Sequence, residues 1–317
     1  MTEWIVAYEG ALRATAFVST FVLVAIAETL VEARPLRSAR GRRWKRNLVL
    51  TAINTVIVRL LFPAGATAAA MWAAARDIGL FQQISLPAGV AMVLAVASLD
   101  LAVYGQHRLF HSVPLFFRFH QVHHADVDFD VTLGSRFHPV EMVLSMGIKI
   151  AAVVILGASA TAVVVFELLL AASSLFTHAN VRFPRALDGA LRWLVVTPAM
   201  HVIHHSADRA DRDSNFGFCI PWWDRLFRTY RSSPAVEQPA IGMAEHQATL
   251  EQTVSWMLLL PFPWPHARRR RRARAAAAWN SSRLQCGSAR SVAAADPAKS
   301  LKGNWLWRLD SNQRPPD

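Results

Sequence analysis

Long apolar runs separated by short polar breaks dominate the chain. Roughly 12–32, 48–74, 85–105, 140–157 and 160–177 are rich in Ala, Val, Leu and Ile and poor in charge. A spanning helix needs about 20 mostly apolar residues, so the pattern predicts an all-α, integral membrane helical bundle of four to five spans. The last two runs, VEMVLSMGIKIAAVVIL and TAVVVFELLLAASSLF, fit a hairpin turning at the GASA of 157–160. Glu3 and Glu9 precede the first run, with no Lys or Arg before it, and a basic loop follows it. It lacks the basic start of a cleaved secretory signal and reads as a retained anchor.

Composition agrees with a membrane class: 53% of the 317 residues are hydrophobic and the mean hydropathy is positive. The net charge of +12 comes from two short clusters. RPLRSARGRRWKR (34–46) carries seven positive residues and RRRRRAR (268–274) carries six. Neither is interleaved with the aromatic residues of a single-strand nucleic-acid binder, so no nucleic-acid partner is expected and the clusters read as topology signals. A cytoplasmic 34–46 loop places the N-terminus outside and returns residues 106–138, and everything from 178 onward, to the cytoplasm. Ten of the twelve histidines, His107 through His205, then converge on one membrane face in a cytoplasmic helical cap. The two cysteines, Cys219 and Cys286, are too few for a disulfide framework or a thiolate metal site. Beyond about 267 an arginine run, an alanine run and a polar stretch suggest disorder. The ending SLKGNWLWRLDSNQRPPD resembles a reading frame run on through a transfer-RNA gene.

The histidines have ligand spacing. In HRLFH, His107 and His111 lie four apart on one helical face. Tyr104 and Asp100 fall on the same stripe. A lone carboxylate in an apolar run is costly, and accepting the free N–H of a ligating imidazole is a role that would justify Asp100. HQVHH (His120, His123, His124) and HVIHH (His201, His204, His205) each set a first histidine against partners at i+3 and i+4. Adjacent histidines diverge by about a hundred degrees around a helix and can reach different ions, so the doubled box suggests a binuclear site. His138 in SRFHPVE and His178 in FTHANVRFP sit where spans re-enter the cytoplasm and are candidate further ligands. His246 and His266 lie outside the constellation. Imidazole suits zinc, copper, iron or nickel, but eight to ten imidazoles exceed what a four-coordinate zinc site needs.

These residues resemble the fatty acid hydroxylase and sterol desaturase superfamily of integral-membrane enzymes. The family's HxxxH, HxxHH and later HxxHH are matched by His107/His111, His120/His123/His124 and His201/His204/His205. FRFHQVHH, RFHPVE, HANVRFP, TPAMHVIHH, SNFG and WWDRLFRTY match as well. One position departs: the family usually has glycine before Thr-Tyr, where this chain has Arg228. The resemblance implies a catalytic domain over 85–235, with N-terminal spans over 1–84 and a tail over 236–317. It implies two iron ions, with zinc as a substitute in purified protein, and O2-dependent hydroxylation or desaturation of a lipid from the bilayer. Glu141, Asn215 and Asp224 join Asp100 and Tyr104 as expected groups behind the ligands, and Glu167, on a stripe with Ser174 and His178, is a further candidate.

No haem segment, flavin fingerprint or ferredoxin cysteine set is visible, so electrons are expected from a separate reductase with a cytochrome or ferredoxin. A bacterial inner membrane is the expected location. An ether-lipid or aldehyde-cleaving relative uses the same boxes. A membrane metal sensor is the competing reading from another class.

Overall fold

The computed structural model describes residues 2–236, 239–249 and 252–262. The arginine run 268–274, Cys286, His266 and the terminal SLKGNWLWRLDSNQRPPD lie outside the described residues. Those described form one compact unit that is all-helical, apart from two isolated bridges. A short α1 (Thr2–Ala7) leads into α2 (Glu9–Leu30), followed by α3 (Arg40–Leu61) and α4 (Gly65–Ala74). Next come α5 (Ala88–Ser112), α6 (Pro114–His124), α7 (Pro139–Leu156) and α8 (Ala160–Thr177). Short helices complete the chain: α9 (Arg185–Leu191), α10 (Pro198–His204), α11 (Arg209–Arg212), α12 (Trp222–Leu226) and α13 (Val254–Leu259).

Five segments are long and apolar enough to cross a membrane, as the hydropathy pattern predicts: Glu9–Leu30, Arg40–Ala74, Ala88–Ser112, Pro139–Leu156 and Ala160–Thr177. The second of these is not one straight helix. It breaks between α3 and α4 at residues 62–64, where Pro63 has no N–H to continue the ladder, and Gly65 follows at φ +64°. The basic segment is also more structured than a topology signal requires, because α3 begins at Arg40 within it.

Local signals set the ends of the α7–α8 hairpin. His138 caps α7 by accepting from the Val140 N–H at 3.1 Å, with Pro139 at the first helical position. Gly157, at φ +66°, ends α7 in the left-handed conformation that glycine adopts without penalty. Ser159 then caps α8 through the Ala162 N–H. Ala66, Ala70, Ala95, Leu99, Ala162 and Phe166 pack α4, α5 and α8 together near this turn.

Hydrogen bonds place the helix ends in common. Glu28, near the end of α2, accepts from the backbone N–H groups of Val131 at 2.7 Å and Asn180 at 2.9 Å. Arg43, near the start of α3, pairs with Asp126 at 3.0 Å and with Asp130. The C-terminal ends of α2, α5 and α8 and the N-terminal ends of α3 and α7 therefore meet at one end of the bundle. That end carries the histidines.

Candidate metal centre

Each histidine reaches the centre from a helix end. His107 and His111 lie on the last turns of α5. Val113-Pro114 breaks the helix, and α6 brings back His120, His123 and His124. His178 follows the last turn of α8, and α10, capped by Thr197 and started by Pro198, supplies His201 and His204 with His205 after them. Nine of the ten predicted histidines fall into two groups whose ligand atoms lie within 4.8 Å of one another: His107, His111, His120, His124 and His204 in one, and His123, His178, His201 and His205 in the other. The adjacent pairs His123–His124 and His204–His205 divide between the groups, as the helical divergence of neighbours requires.

The close contacts are between Nε2 atoms. His124 Nε2 lies 3.1 Å from those of His111 and His120. His178 Nε2 lies 3.2 Å from that of His123 and 3.1 Å from those of His201 and His205. Two nitrogens bound to one ion at about 2.0–2.1 Å, at angles between square and tetrahedral, stand roughly 2.8–3.4 Å apart. The observed spacing is that of ligands sharing an ion.

For His123 and His178, hydrogen bonding excludes the alternative that the two imidazoles satisfy each other. The Nδ1 of His178 faces the Ser174 carbonyl at 2.7 Å and that of His123 faces the Arg136 carbonyl at 3.2 Å. A carbonyl only accepts, so both Nδ1 atoms carry the proton and both Nε2 atoms are left as lone pairs. Those two lone pairs, 3.2 Å apart, repel unless a cation lies between them. In the other group, His107 Nδ1 faces the Phe216 carbonyl at 2.7 Å and His204 Nδ1 the Ser214 carbonyl at 2.8 Å, and their buried Nε2 atoms have no hydrogen-bond partner among the described residues. His120 Nδ1 faces Glu141 at 2.6 Å and His111 Nδ1 faces Asp213 at 3.3 Å. Backing of this kind fixes the tautomer and orients a ligating imidazole.

Burial, reinforced by repulsion from neighbouring imidazoles, holds His123, His124, His201 and His205 well below the ordinary histidine range. Burial pushes His178 down to about 3. These side chains are neutral at pH 7, the form that binds a metal.

The remaining expectations divide. His138 belongs to neither group: its Nδ1 caps α7 and its Nε2 faces the Leu258 carbonyl at 3.1 Å, so both nitrogens are used. Glu141 touches a group histidine directly. Asp100 does not: it accepts from the Ile220 N–H at 3.1 Å and from the Trp223 indole at 2.9 Å, and so anchors the segment beside the site. Tyr104 likewise bonds Thr229 at 2.8 Å and packs on Phe227. Asn215 and Asp224 act through backbone. Asn215, at φ +50°, lies between Ser214 and Phe216, whose carbonyls face His204 and His107, and its amide donates to the Met200 carbonyl at 3.0 Å. Asp224 accepts from the N–H groups of Phe216 and Gly217, both at 2.8 Å. Burial raises its carboxyl above the usual range. Arg228 stands at φ +58°, a left-handed position that costs a non-glycine residue about 1–2 kcal/mol. That explains the glycine expected there, and the turn forms with arginine. Glu167 does not serve the histidines; it bonds Lys149 at 2.6 Å deeper in the bundle.

The sequence reading missed the latch that closes the centre. In ADVDFD (125–130), Asp126 pairs with Arg43 at 3.0 Å and with Arg136 at 2.9 Å, and Asp128 accepts from the Ser38 N–H at 3.0 Å. Burial alone would raise the Asp126 carboxyl, but the two guanidiniums hold it below the usual range. Three aspartates alternating directly after a histidine box were the available signal. Gly134 allows the same loop to close on α8: a Cβ there would stand 2.4 Å from the Ser174 carbonyl oxygen and 3.2 Å from His178 Nδ1. Cys219 is a free thiol whose burial raises its pKa, which makes it a poor nucleophile.

A cavity of about 640 Å³ reaches His107, His120 and Phe218 from between the spans. Its apolar wall includes Phe17, Val58, Val103, Met146 and Leu170.

Residues 92–229 match the fatty acid hydroxylase family. The chain is 28% identical over 157 residues to an ornithine lipid hydroxylase of Rhizobium tropici, covering 50% of this chain and 46% of that protein. It is 27% identical over 159 residues to an alkylglycerol monooxygenase of Xenopus tropicalis, covering 50% of this chain and 34% of the relative. It is 33% identical over 146 residues to a very-long-chain aldehyde decarbonylase of Oryza sativa, covering 43% and 23%. The match thus spans less than half the length of each of these relatives. No solved structure matches the chain.

Proposed function

Starting from a chain whose residues 92–229 match the fatty acid hydroxylase family, we propose that its nine grouped histidines bind two iron ions and that the protein is an O2-dependent lipid hydroxylase or desaturase. The observation that carries this reading is the opposition of the unprotonated Nε2 atoms of His123 and His178 at 3.2 Å in a buried nine-histidine centre. The donor set fits iron: neutral imidazoles with no thiolate suit a borderline divalent ion. When bound, such a pair supplies the redox chemistry that an unactivated aliphatic C–H requires and that acid–base side chains cannot provide.

The chain's own groups supply the rest. The Phe216 and Ser214 carbonyls, Glu141 and Asp213 keep the Nδ1 protons of His107, His204, His120 and His111 in place, so that each Nε2 is presented as a lone pair. Phe110, Val103 and Met146 line an apolar passage that excludes water and accepts an alkyl chain. His107 and His120 both line that passage, which brings the five-histidine group next to the substrate.

The named substrates of the relatives, an ornithine lipid, an alkylglycerol and very-long-chain aldehydes, all join a long aliphatic chain to a polar group. We infer the same general class here. The basic 34–46 segment supports a cytoplasmic histidine end and an N-terminus outside, in a bacterial inner membrane. Electrons come from a separate reductase with a cytochrome or ferredoxin. The test is metal analysis of detergent-purified protein with a Mössbauer spectrum, followed by lipidomics of cells with and without the gene. About two coupled irons per chain and a lipid one oxygen heavier, or two hydrogens lighter, support the reading. A protein that takes up no iron on reconstitution overturns it in favour of a scaffold or sensor, and cleavage products would assign the ether-lipid or aldehyde-cleaving chemistry of the relatives.

A further inference from the structure

The cavity does not end in apolar side chains. Away from the histidines its wall carries Arg13, Arg59, Lys149 and Glu167, from α2, α3, α7 and α8. Lys149 Nζ donates to Glu167 Oε1 at 2.6 Å, Arg13 pairs with the other Glu167 oxygen, and Arg13 also donates to Glu9 and Thr67, each at 2.9 Å. Arg59 lines the same cavity with no ion pair or hydrogen bond among the described residues. The group contains three cations (Arg13, Arg59, Lys149) against two carboxylates (Glu9, Glu167), a surplus of one positive charge.

Ionisable side chains within spanning segments are costly and are retained where they serve a function. A pair that only stapled helices would be complete with one acid and one base. Here a third cation is left over: Arg59, exposed on the last turn of α3, is among the residues that line the cavity. Lys149 follows Glu141, whose carboxylate touches the cavity-lining His120, by eight residues along α7. At the helical rise per residue this separates them by about 12 Å along the axis. Resting on the reading of this chain as a lipid-oxidising enzyme, we propose that the ionic floor of the cavity binds a negatively charged group of the lipid, a carboxylate or a phosphate, and so sets which carbon of the chain reaches the histidines. At about 1.25 Å per carbon, from C–C bonds of ~1.52 Å at near-tetrahedral angles, the span corresponds to on the order of ten carbons from the charge. The substrate lies with its anionic end toward the α7–α8 turn and its chain toward the metal centre.

The test uses the full chain in the uncharged detergent dodecyl maltoside, with three probes of equal chain length: palmitate, hexadecyl phosphate and hexadecanol. Binding is measured on protein with and without iron. The wild type should bind at least one anionic probe about ten-fold more tightly than the alcohol. A preference for palmitate alone identifies a free fatty acid, and a preference for the phosphate identifies a phospholipid headgroup. Arg59→Gln, which removes a cation with no partner among the described residues, should reduce the preference to about two-fold or less and leave hexadecanol binding unchanged. Lys149→Met is the second variant, with helicity checked by circular dichroism. Equal binding of all three probes, or an unchanged preference in a folded Arg59→Gln protein, overturns the proposal. The metal-free measurement reads the floor alone: anion-selective binding in a protein that oxidises no lipid when iron-loaded would refute the enzymatic reading and leave the anion site standing.

Discussion

The two histidine groups are built from the same boxes but backed differently. The five-histidine group sets two carboxylates, Glu141 and Asp213, and two carbonyls, of Phe216 and Ser214, behind its imidazoles, and two of its members line the cavity. Behind the four-histidine group, among the described residues, stand the carbonyls of Arg136 and Ser174 and the Thr177 hydroxyl but no carboxylate, and none of its members lines the cavity. A carboxylate behind an imidazole raises its basicity and offsets metal charge more than a carbonyl does. One group is therefore backed by carboxylates and open to the cavity and the other is enclosed, although the sequence writes HQVHH and HVIHH alike.

The largest expected effect tests the enclosed group. His178 Nε2 lies within 3.2 Å of three other Nε2 atoms. His178→Ala should lower iron from about two per chain toward about one, because a four-ligand set loses its central member, and should abolish lipid oxidation while the helices remain inserted. Two retained irons would remove the four-histidine group from the centre.

Acid gives the next largest effect. His178 is neutral in the fold with a pKa of about 3, against 6.5 in an exposed chain. Below 6.5 the unfolded chain gains a proton that the native state refuses, so stability falls as the pH drops from 6.5 toward 3. Metal-free protein should show its full melting temperature above about pH 7 and a steady decline below 6.5, whereas iron-loaded protein should resist until protons displace the metal. Identical pH profiles for the two forms would contradict the assignment of these nitrogens as ligands.

A smaller change separates the groups. Glu141→Gln keeps the contact to His120 but removes the charge, and should weaken metal binding at the five-histidine group by about 10–100-fold, leaving the four-histidine ion in place. Iron titration that shows one weakened and one unchanged site is the expected result, and equal weakening of both would erase the distinction. The smallest effect is on the support of the five-histidine group. Arg228→Gly relieves the left-handed position at φ +58° and should stabilise the fold by about 1 kcal/mol. A loss of thermal stability would mean that the Arg228 side chain makes up for its backbone strain.

Outside the boxes the chain was legible in parts. Five spans follow from runs of apolar residues, but the run 48–74 folds as two helices because Pro63 interrupts it, a local signal that hydropathy averages away. His138 has the surroundings of a ligand and serves as a helix cap, since Pro139 starts α7 beside it. Asp100 and Tyr104 share the helical stripe of His107, yet the segment 219–229, distant in sequence, takes up both their polar groups. Arg43 sits in a run that reads as a topology signal and is buried against Asp126 and Asp130.

Helical spacing alone determined which histidines share a face and that adjacent histidines serve different groups, because side-chain direction repeats every 3.6 residues whatever surrounds the helix. Span number followed likewise from composition, because an apolar run has no other stable place than a bilayer or a core. Which carboxylate backs which imidazole, which polar residues turn away to hold loops, and where Arg13, Arg59, Lys149 and Glu167 gather on the wall of a largely apolar cavity were decided only by tertiary packing. Those contacts join residues tens to more than a hundred positions apart, and a sequence pattern records what each residue can do without recording which residues the fold brings to meet it.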